Sequence, residues 1–178
     1  DVQLIIRVHP GETLTHGTSM VDVVKNELTD IPDHIHLILP EEKINTYDIL
    51  EIADLGVVYT TTVGLEMAMR GIPVVVAGET HYRDRGFTYD PNSWDEFVDI
   101  LNTLLGDLEH ARLSQEQIEL AWRYAYLFFF EFPKPFPWHL LDFKKDIISR
   151  PLEFVLGEEG QKRYNQTFEY LTGTPLDW

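Results

Sequence analysis

Val57-Val58-Tyr59-Thr60-Thr61-Thr62-Val63-Gly64-Leu65-Glu66-Met67-Ala68-Met69-Arg70-Gly71-Ile72-Pro73-Val74-Val75-Val76 reads as strand, turn, helix, stop and strand. Residues 57–59 are β-branched or aromatic, as a buried strand prefers. Three threonines then supply three hydroxyls in a row. Residues 63–70 carry Leu65, Met67 and Met69 for packing and stop at Gly71, where a chain leaving a helix turns left-handed. Residues 73–76 open the next buried strand. A hydroxyl-rich turn entering a helix gathers unpaired backbone N–H groups at the positive end of the helix dipole, so it reads as an anion site. Gly64 admits a close approach, either by a ligand or by a packed neighbour.

Upstream of this unit, residues 2–8 read as a strand stopped by Pro10 and Gly11. Residues 13–17 form a loop. Thr18 or Ser19 caps a helix reaching residue 28, with Val21, Val24 and Leu28 on one face. Residues 35–39 are a second strand closed by Pro40. Asn45 or Thr46 caps a helix to residue 53, with Ile49, Leu50 and Ile52 turned inward. Downstream, residues 78–92 form a polar loop long enough to be functional or mobile. Ser93-Trp94-Asp95-Glu96 and Ser114-Gln115-Glu116-Gln117 are capping boxes that open helices to about residues 105 and 130. The alternation of strands and helices predicts an α/β domain with a parallel sheet flanked by helices on both faces. Beyond it, Pro133, Pro135 and Pro137 exclude regular helix, and residues 139–148 and 157–171 read as two more helices. The organisation is thus a domain over 1–130 and a helical, aromatic-rich extension over 131–178. Phe128-Phe129-Phe130 reads as core packing or as an interface.

Composition bounds the function. The 178 residues are 44% hydrophobic and 25% charged, enough for one domain with a proper core. Net charge is -16, which argues against a nucleic-acid partner and a basic membrane-surface helix. An anion site here must work through local N–H groups and a few cations. There is no cysteine, so thiolate catalysis, disulfides and zinc–cysteine sites are excluded. No apolar run is long enough to span a membrane, and no signal peptide is visible. The chain starts at Asp1 and runs almost at once into Leu4-Ile5-Ile6, which reads as a domain cut from a longer polypeptide.

In open α/β sheets ligands bind beyond the carboxyl ends of the strands. His9-Pro10 follows the first strand, Leu39-Pro40-Glu41 the second, Thr60-Thr61-Thr62 the third and residues 78–88 the fourth. The pattern predicts that these four loops converge on one edge. His34 and His36 share a strand face, but no third ligand accompanies them, and His16, His110 and His139 also lack ligand spacing. No metal site is expected.

Arg7-Val8-His9-Pro10, Tyr59 to Glu66 and Gly71-Ile72-Pro73-Val74, taken in order, resemble the nucleotide-sugar-binding half of GT-B glycosyltransferases. The nearest likeness is to bacterial capsule polysaccharide biosynthesis proteins, which include Kdo-transferring enzymes. His81-Tyr82-Arg83 and Gly86-Phe87-Thr88 share it, and it covers about residues 2–105. The resemblance implies a Rossmann-like carboxyl-terminal donor domain, cytoplasmic, with no cofactor or metal. Its partners would be a CMP- or UDP-linked sugar and a glycan or lipid-linked acceptor brought by a missing amino-terminal domain. It implies that His9 assists departure of the nucleotide, with Arg7 and Pro10 beside it, and that Thr60, Thr61 and Thr62 hold phosphate. Glu66 would bind ribose, Pro40 and Glu41 would border the base, and Arg83 and Arg85 would neutralise diphosphate or a sugar carboxylate. Each has a plainer alternative: a strand-end hydrogen bond for His9, capping for one threonine, a helix-start charge for Glu66, a packing contact for Gly64, an ordinary loop for Pro40 and Glu41, solvation or pairing with Asp84 for the arginines. A UDP-sugar epimerase or teichoic-acid polymerase on the same fold, or a non-catalytic GT-B-like binding module, would share these features.

Overall fold

The computed structural model describes residues 2–14, 17–139 and 141–174, so His16 lies outside the described residues. The chain divides into two compact units, Asp1–Ala53 and Asp54–Trp178.

In the first unit β1 (Leu4–Arg7) pairs in parallel with β2 (Ile35–Ile38), Ile5 opposite His36 and Ile6 opposite Leu37. Pro10 does not merely stop β1; it opens a 3-10 turn over Pro10–Leu14. The crossover that parallel pairing needs is supplied by α1 (Met20–Glu27), with Val21, Val24 and Leu28 half-buried as the spacing predicts. The Ser19 hydroxyl caps it by accepting from Val21 N–H, and Glu12 accepts from Met20 N–H at 3.0 Å. Asn45 caps α2 (Thr46–Ile52) through Tyr47 N–H. Here one expectation fails: Leu50 is buried but Ile52 is 70% exposed. Residues two apart on a helix point some 200° away from each other, so the two cannot share an inward face.

In the second unit β3 (Gly56–Val58) pairs in parallel with β4 (Val74–Val76), connected through α3 (Val63–Ala68). Gly71 follows α3 with φ +76°, the left-handed stop expected of it. Val74, Val75 and Val76 are fully buried. The long loop then returns beside β4: Val76 N–H donates to Tyr89 O at 2.9 Å and Tyr89 N–H to Val74 O at 2.8 Å. Ser93 caps α4 (Trp94–Gly106) through Glu96 N–H, but the Glu96 carboxylate reaches back to Asn92 N–H rather than to Ser93, a box displaced by one residue. Ser114 and Gln117 complete a full capping box at α5 (Gln115–Tyr126), which continues into a π turn over Leu127–Glu131. Three helices close the chain: α6 (Phe143–Ser149), α7 (Leu152–Leu156) and α8 (Glu158–Leu171). At five residues, α7 is too short for periodicity to reveal it.

Strand pairing gives two parallel pairs where one continuous sheet was expected. Parallel strands at the heart of a doubly covered sheet are buried on both faces. β4 meets that description, but β1 has no fully buried residue and Leu4 is 46% exposed. The phenylalanine run also departs from core packing: Phe130 is 75% and Phe129 49% exposed. Only Phe128 turns inward, because successive helical residues point in different directions and one of three neighbours can face the core. Residues 131–178 belong to the second unit, where Val155 and Tyr164 are buried and Thr167 donates to Pro135 O at 2.8 Å.

Candidate functional site

Beyond the ends of β1 and β2 the first unit builds a clamped turn. Leu39-Pro40-Glu41-Glu42 closes on itself, with Glu42 N–H donating to Leu39 O at 3.1 Å and Leu39 N–H to the Glu42 carboxylate at 2.7 Å. Arg7 donates to Leu39 O at 2.7 Å and to Glu42 O at 3.3 Å. Arg7 is therefore joined to the Pro40–Glu41 turn, and its guanidinium is engaged in holding that turn. The Glu41 carboxylate is exposed. Glu42 does the structural work; its signal in the sequence was a carboxylate three residues past a strand end, able to fold back on an N–H as in a capping box.

His9 is exposed, and its Nδ1 accepts from Gly11 N–H at 2.9 Å. A neutral imidazole that accepts at Nδ1 carries its proton on Nε2. The local turn thus selects a tautomer that offers an N–H donor past the end of β1. Pro10 is exposed beside it and accepts from Thr13 Oγ1 at 3.0 Å.

In the second unit the loops after β3 and β4 meet. Tyr82 is fully buried and its hydroxyl donates to Thr61 O at 2.6 Å. Thr61 Oγ1 accepts from Val63 N–H at 3.3 Å, bracing the turn into α3, while the N-cap residue Thr62 makes no side-chain capping bond and is exposed, as is Thr60. α3 has only six residues, so its dipole is small and any anion held here would depend on N–H groups and hydroxyls. Gly64 is buried. A Cβ on it would lie 2.4 Å from the Tyr82 hydroxyl oxygen and 2.9 Å from Val58 Cγ2, so the close approach it permits is to Tyr82. The Glu66 carboxylate, on a half-buried residue, has no hydrogen-bond partner among the described residues.

The two arginines part company. The Arg83 side chain is only 9% exposed; it donates to Val76 O at 2.9 Å, Gly78 O at 3.3 Å and Pro91 O at 2.5 Å, and its Nε lies 4.0 Å from the Asp84 carboxylate. It clasps the 78–92 loop to the end of β4, with Nη1 and Nη2 donating to carbonyls and Asp84 as its ion-pair partner. Arg85 is exposed and lies 5.8 Å from the Tyr124 ring centroid. His81 stacks on Phe128 at 3.8 Å. The Tyr124 hydroxyl donates to His81 O, so its oxygen accepts from His81 Nδ1 at 3.1 Å. Burial lowers the His81 pKa and raises that of Tyr124. Asp84, at φ +59°, is held through its N–H by Asp90. The loop is thus bonded along its length. A cleft of about 340 Å³ opens beyond β4, between this loop and the start of α4.

A profile of capsule polysaccharide biosynthesis proteins matches residues 1–115. The chain belongs to the capsule polysaccharide biosynthesis protein family. The match takes in both strand pairs, the clamped turn, His9, the threonine turn and the 78–92 loop, and stops at the opening of α5. No curated protein and no solved structure matches the chain. No helix among the described residues is long and apolar enough to cross a membrane.

Burial pushes the Tyr82 pKa up to about 12. An unfolded tyrosine ionises near pH ~10. A raised acid pKa in the folded state contributes stability that is complete below the unfolded value and is lost as pH rises through the folded one. Melting temperature is expected to fall between these two values, and to fall less for Tyr82→Phe. Equal alkaline slopes in the two proteins would show that Tyr82 is not the group responsible.

Proposed function

We propose that this chain is a nucleotide-sugar-binding domain of a glycosyltransferase acting in capsule polysaccharide synthesis. The family supplies the capsule role. The observation that supports the rest is His9, exposed past the end of a parallel strand with its Nε2 proton pointing away from the Gly11 contact. In the proposed reaction an acceptor hydroxyl oxygen bonds to the anomeric carbon and the bond from that carbon to the donor phosphate breaks. The hydroxyl proton passes to a general base supplied with the acceptor-binding domain. Charge grows on the departing phosphate oxygen, and a donor at His9 Nε2 stabilises it through a hydrogen bond or proton transfer. The second unit's own candidates for phosphate and ribose contact are the hydroxyls of Thr60 and Thr62 and the Glu66 carboxylate.

Calorimetric titration with CMP, UDP, GDP and ADP tests this reading. One nucleotide is expected to bind. His9→Ala should weaken it by about tenfold, the value of one good hydrogen bond to a charged group. Thr60→Ala is the better partner variant than Thr61→Ala, which would remove the bond from Val63 N–H at the turn into α3. A folded sample that binds none of the four, or binds one unaltered in both variants, overturns the proposal.

A further inference from the structure

The cleft beyond β4 has a floor and a wall of different character. The floor is cross-linked, because the Arg83 guanidinium, its side chain only 9% exposed, ties Val76, Gly78 and Pro91 together. The wall is aromatic. Trp94 is 74% exposed, and its ring lies over Phe97 at 5.2 Å with 19° between the planes. An indole this open leaves a large apolar face in water, which is a mark of recognition surfaces.

Polar groups border that face and are not consumed by the fold. The Glu79 carboxylate and the Asn92 side-chain amide line the cleft, and neither has a hydrogen-bond partner among the described residues. Ser93 Oγ accepts from Glu96 N–H and keeps its own proton to donate. Together they offer a carboxylate acceptor, an amide that both donates and accepts, and a hydroxyl donor. A flat apolar platform with such groups at its edge matches the pyranose ring, which has one face of C–H bonds and a rim of hydroxyls. At about 340 Å³ the cleft lies at the small end of ligand sites, a size for one sugar ring.

Charge narrows the class. Glu79 lines the cleft, and the first turn of α4 carries Asp95 and Glu96. Among the described residues the one cation in the lining is Arg83, whose Nη1 and Nη2 donate to carbonyls and whose Nε lies 4.0 Å from the Asp84 carboxylate. An acidic border repels sugar acids and nucleotide phosphates and tolerates neutral rings. We infer that the Trp94 cleft binds a neutral pyranose of a glycan. The inference goes beyond the nucleotide reading and stands without it, since neither His9 nor the threonine turn enters it.

Saturation-transfer NMR on the 178-residue chain tests this, with methyl glucopyranoside, methyl galactopyranoside and methyl 2-acetamido-2-deoxyglucopyranoside as probes and methyl glucuronide as the charged control. At least one neutral glycoside is expected to show transfer to its ring C–H protons, and glucuronide little. Trp94→Ala should weaken binding by about tenfold or more, as loss of an aromatic anchor does. Its thermal melting should stay close to that of the unsubstituted chain, because the indole is exposed, and Trp94→Phe should retain part of the binding. Absence of transfer from every neutral probe at tens of millimolar overturns the inference. So does binding undiminished in Trp94→Ala, or a preference for the glucuronide. Nucleotide titration of Trp94→Ala separates the two proposals: nucleotide affinity should be unchanged while glycoside binding falls.

Discussion

Replacing Phe87 with alanine is expected to destabilise the protein by about 3–5 kcal/mol, the usual cost of emptying a buried phenylalanine site. Phe87 is fully buried, with Tyr82 at 6.4 Å and Tyr124 at 5.7 Å between ring centroids. Both neighbours are fixed by hydrogen bonds of their own, Tyr82 to Thr61 and Tyr124 to His81, so neither ring is free to move into the vacated volume. Poor relaxation places the cost toward the upper part of that range. Phe87→Leu, which keeps most of the volume, should cost far less. Urea denaturation read by circular dichroism checks both, and a Phe87→Ala cost near zero would mean that the 78–92 loop is not packed as described.

The second large effect concerns Gly64. Gly64→Ala places a methyl group against the Tyr82 hydroxyl and Val58, in a region with no space to receive it. Overpacking of this kind costs about 1–3 kcal/mol. The hydroxyl is the nearest atom, so its removal in Tyr82→Phe should relieve part of the strain. Tyr82→Phe alone is expected to cost about 1–3 kcal/mol, through the Thr61 carbonyl left without its partner. The double variant should then be more stable than the sum of the two by about 0.5–3 kcal/mol. Strict additivity would separate the glycine from the tyrosine and leave the close contact unexplained.

These two experiments bear on how the threonine turn is to be understood. Its sequence, three hydroxyls before a glycine-containing helix, invites an anion reading. In the structure one hydroxyl accepts from Val63 N–H at the turn into α3, the carbonyl of the same residue anchors Tyr82, and the glycine makes room for that anchor. Two of the three hydroxyls remain exposed. Arg83 shows the same shift from ligand to scaffold. In a chain of net charge -16 an arginine near a strand end invites pairing with phosphate, yet Arg83 donates to one carbonyl at the end of β4 and two in its own loop, and pairs with Asp84.

Local signals carried much of the fold. Ser19, Asn45, Ser93 and Ser114 each cap the helix expected of them, because a side-chain oxygen next to an N–H two or three residues on is a property of adjacent residues alone. The four strands and their parallel pairing were legible for a similar reason: short β-branched runs alternating with helices allow little else. Gly71 announced its left-handed turn. What sequence alone determined, then, was the element order, the caps, the strand ends, and membership in the capsule family. Within each unit, tertiary structure decided the register of the strand pair, which arginine clasps backbone carbonyls, and which tautomer His9 holds. It also decided that Trp94 lies open over Phe97 beside unpaired polar groups. These outcomes depend on contacts between residues far apart in the chain, or on the exact path of a turn. Residue types and spacings leave both open, because burial and hydrogen-bond competition are settled only when the elements pack.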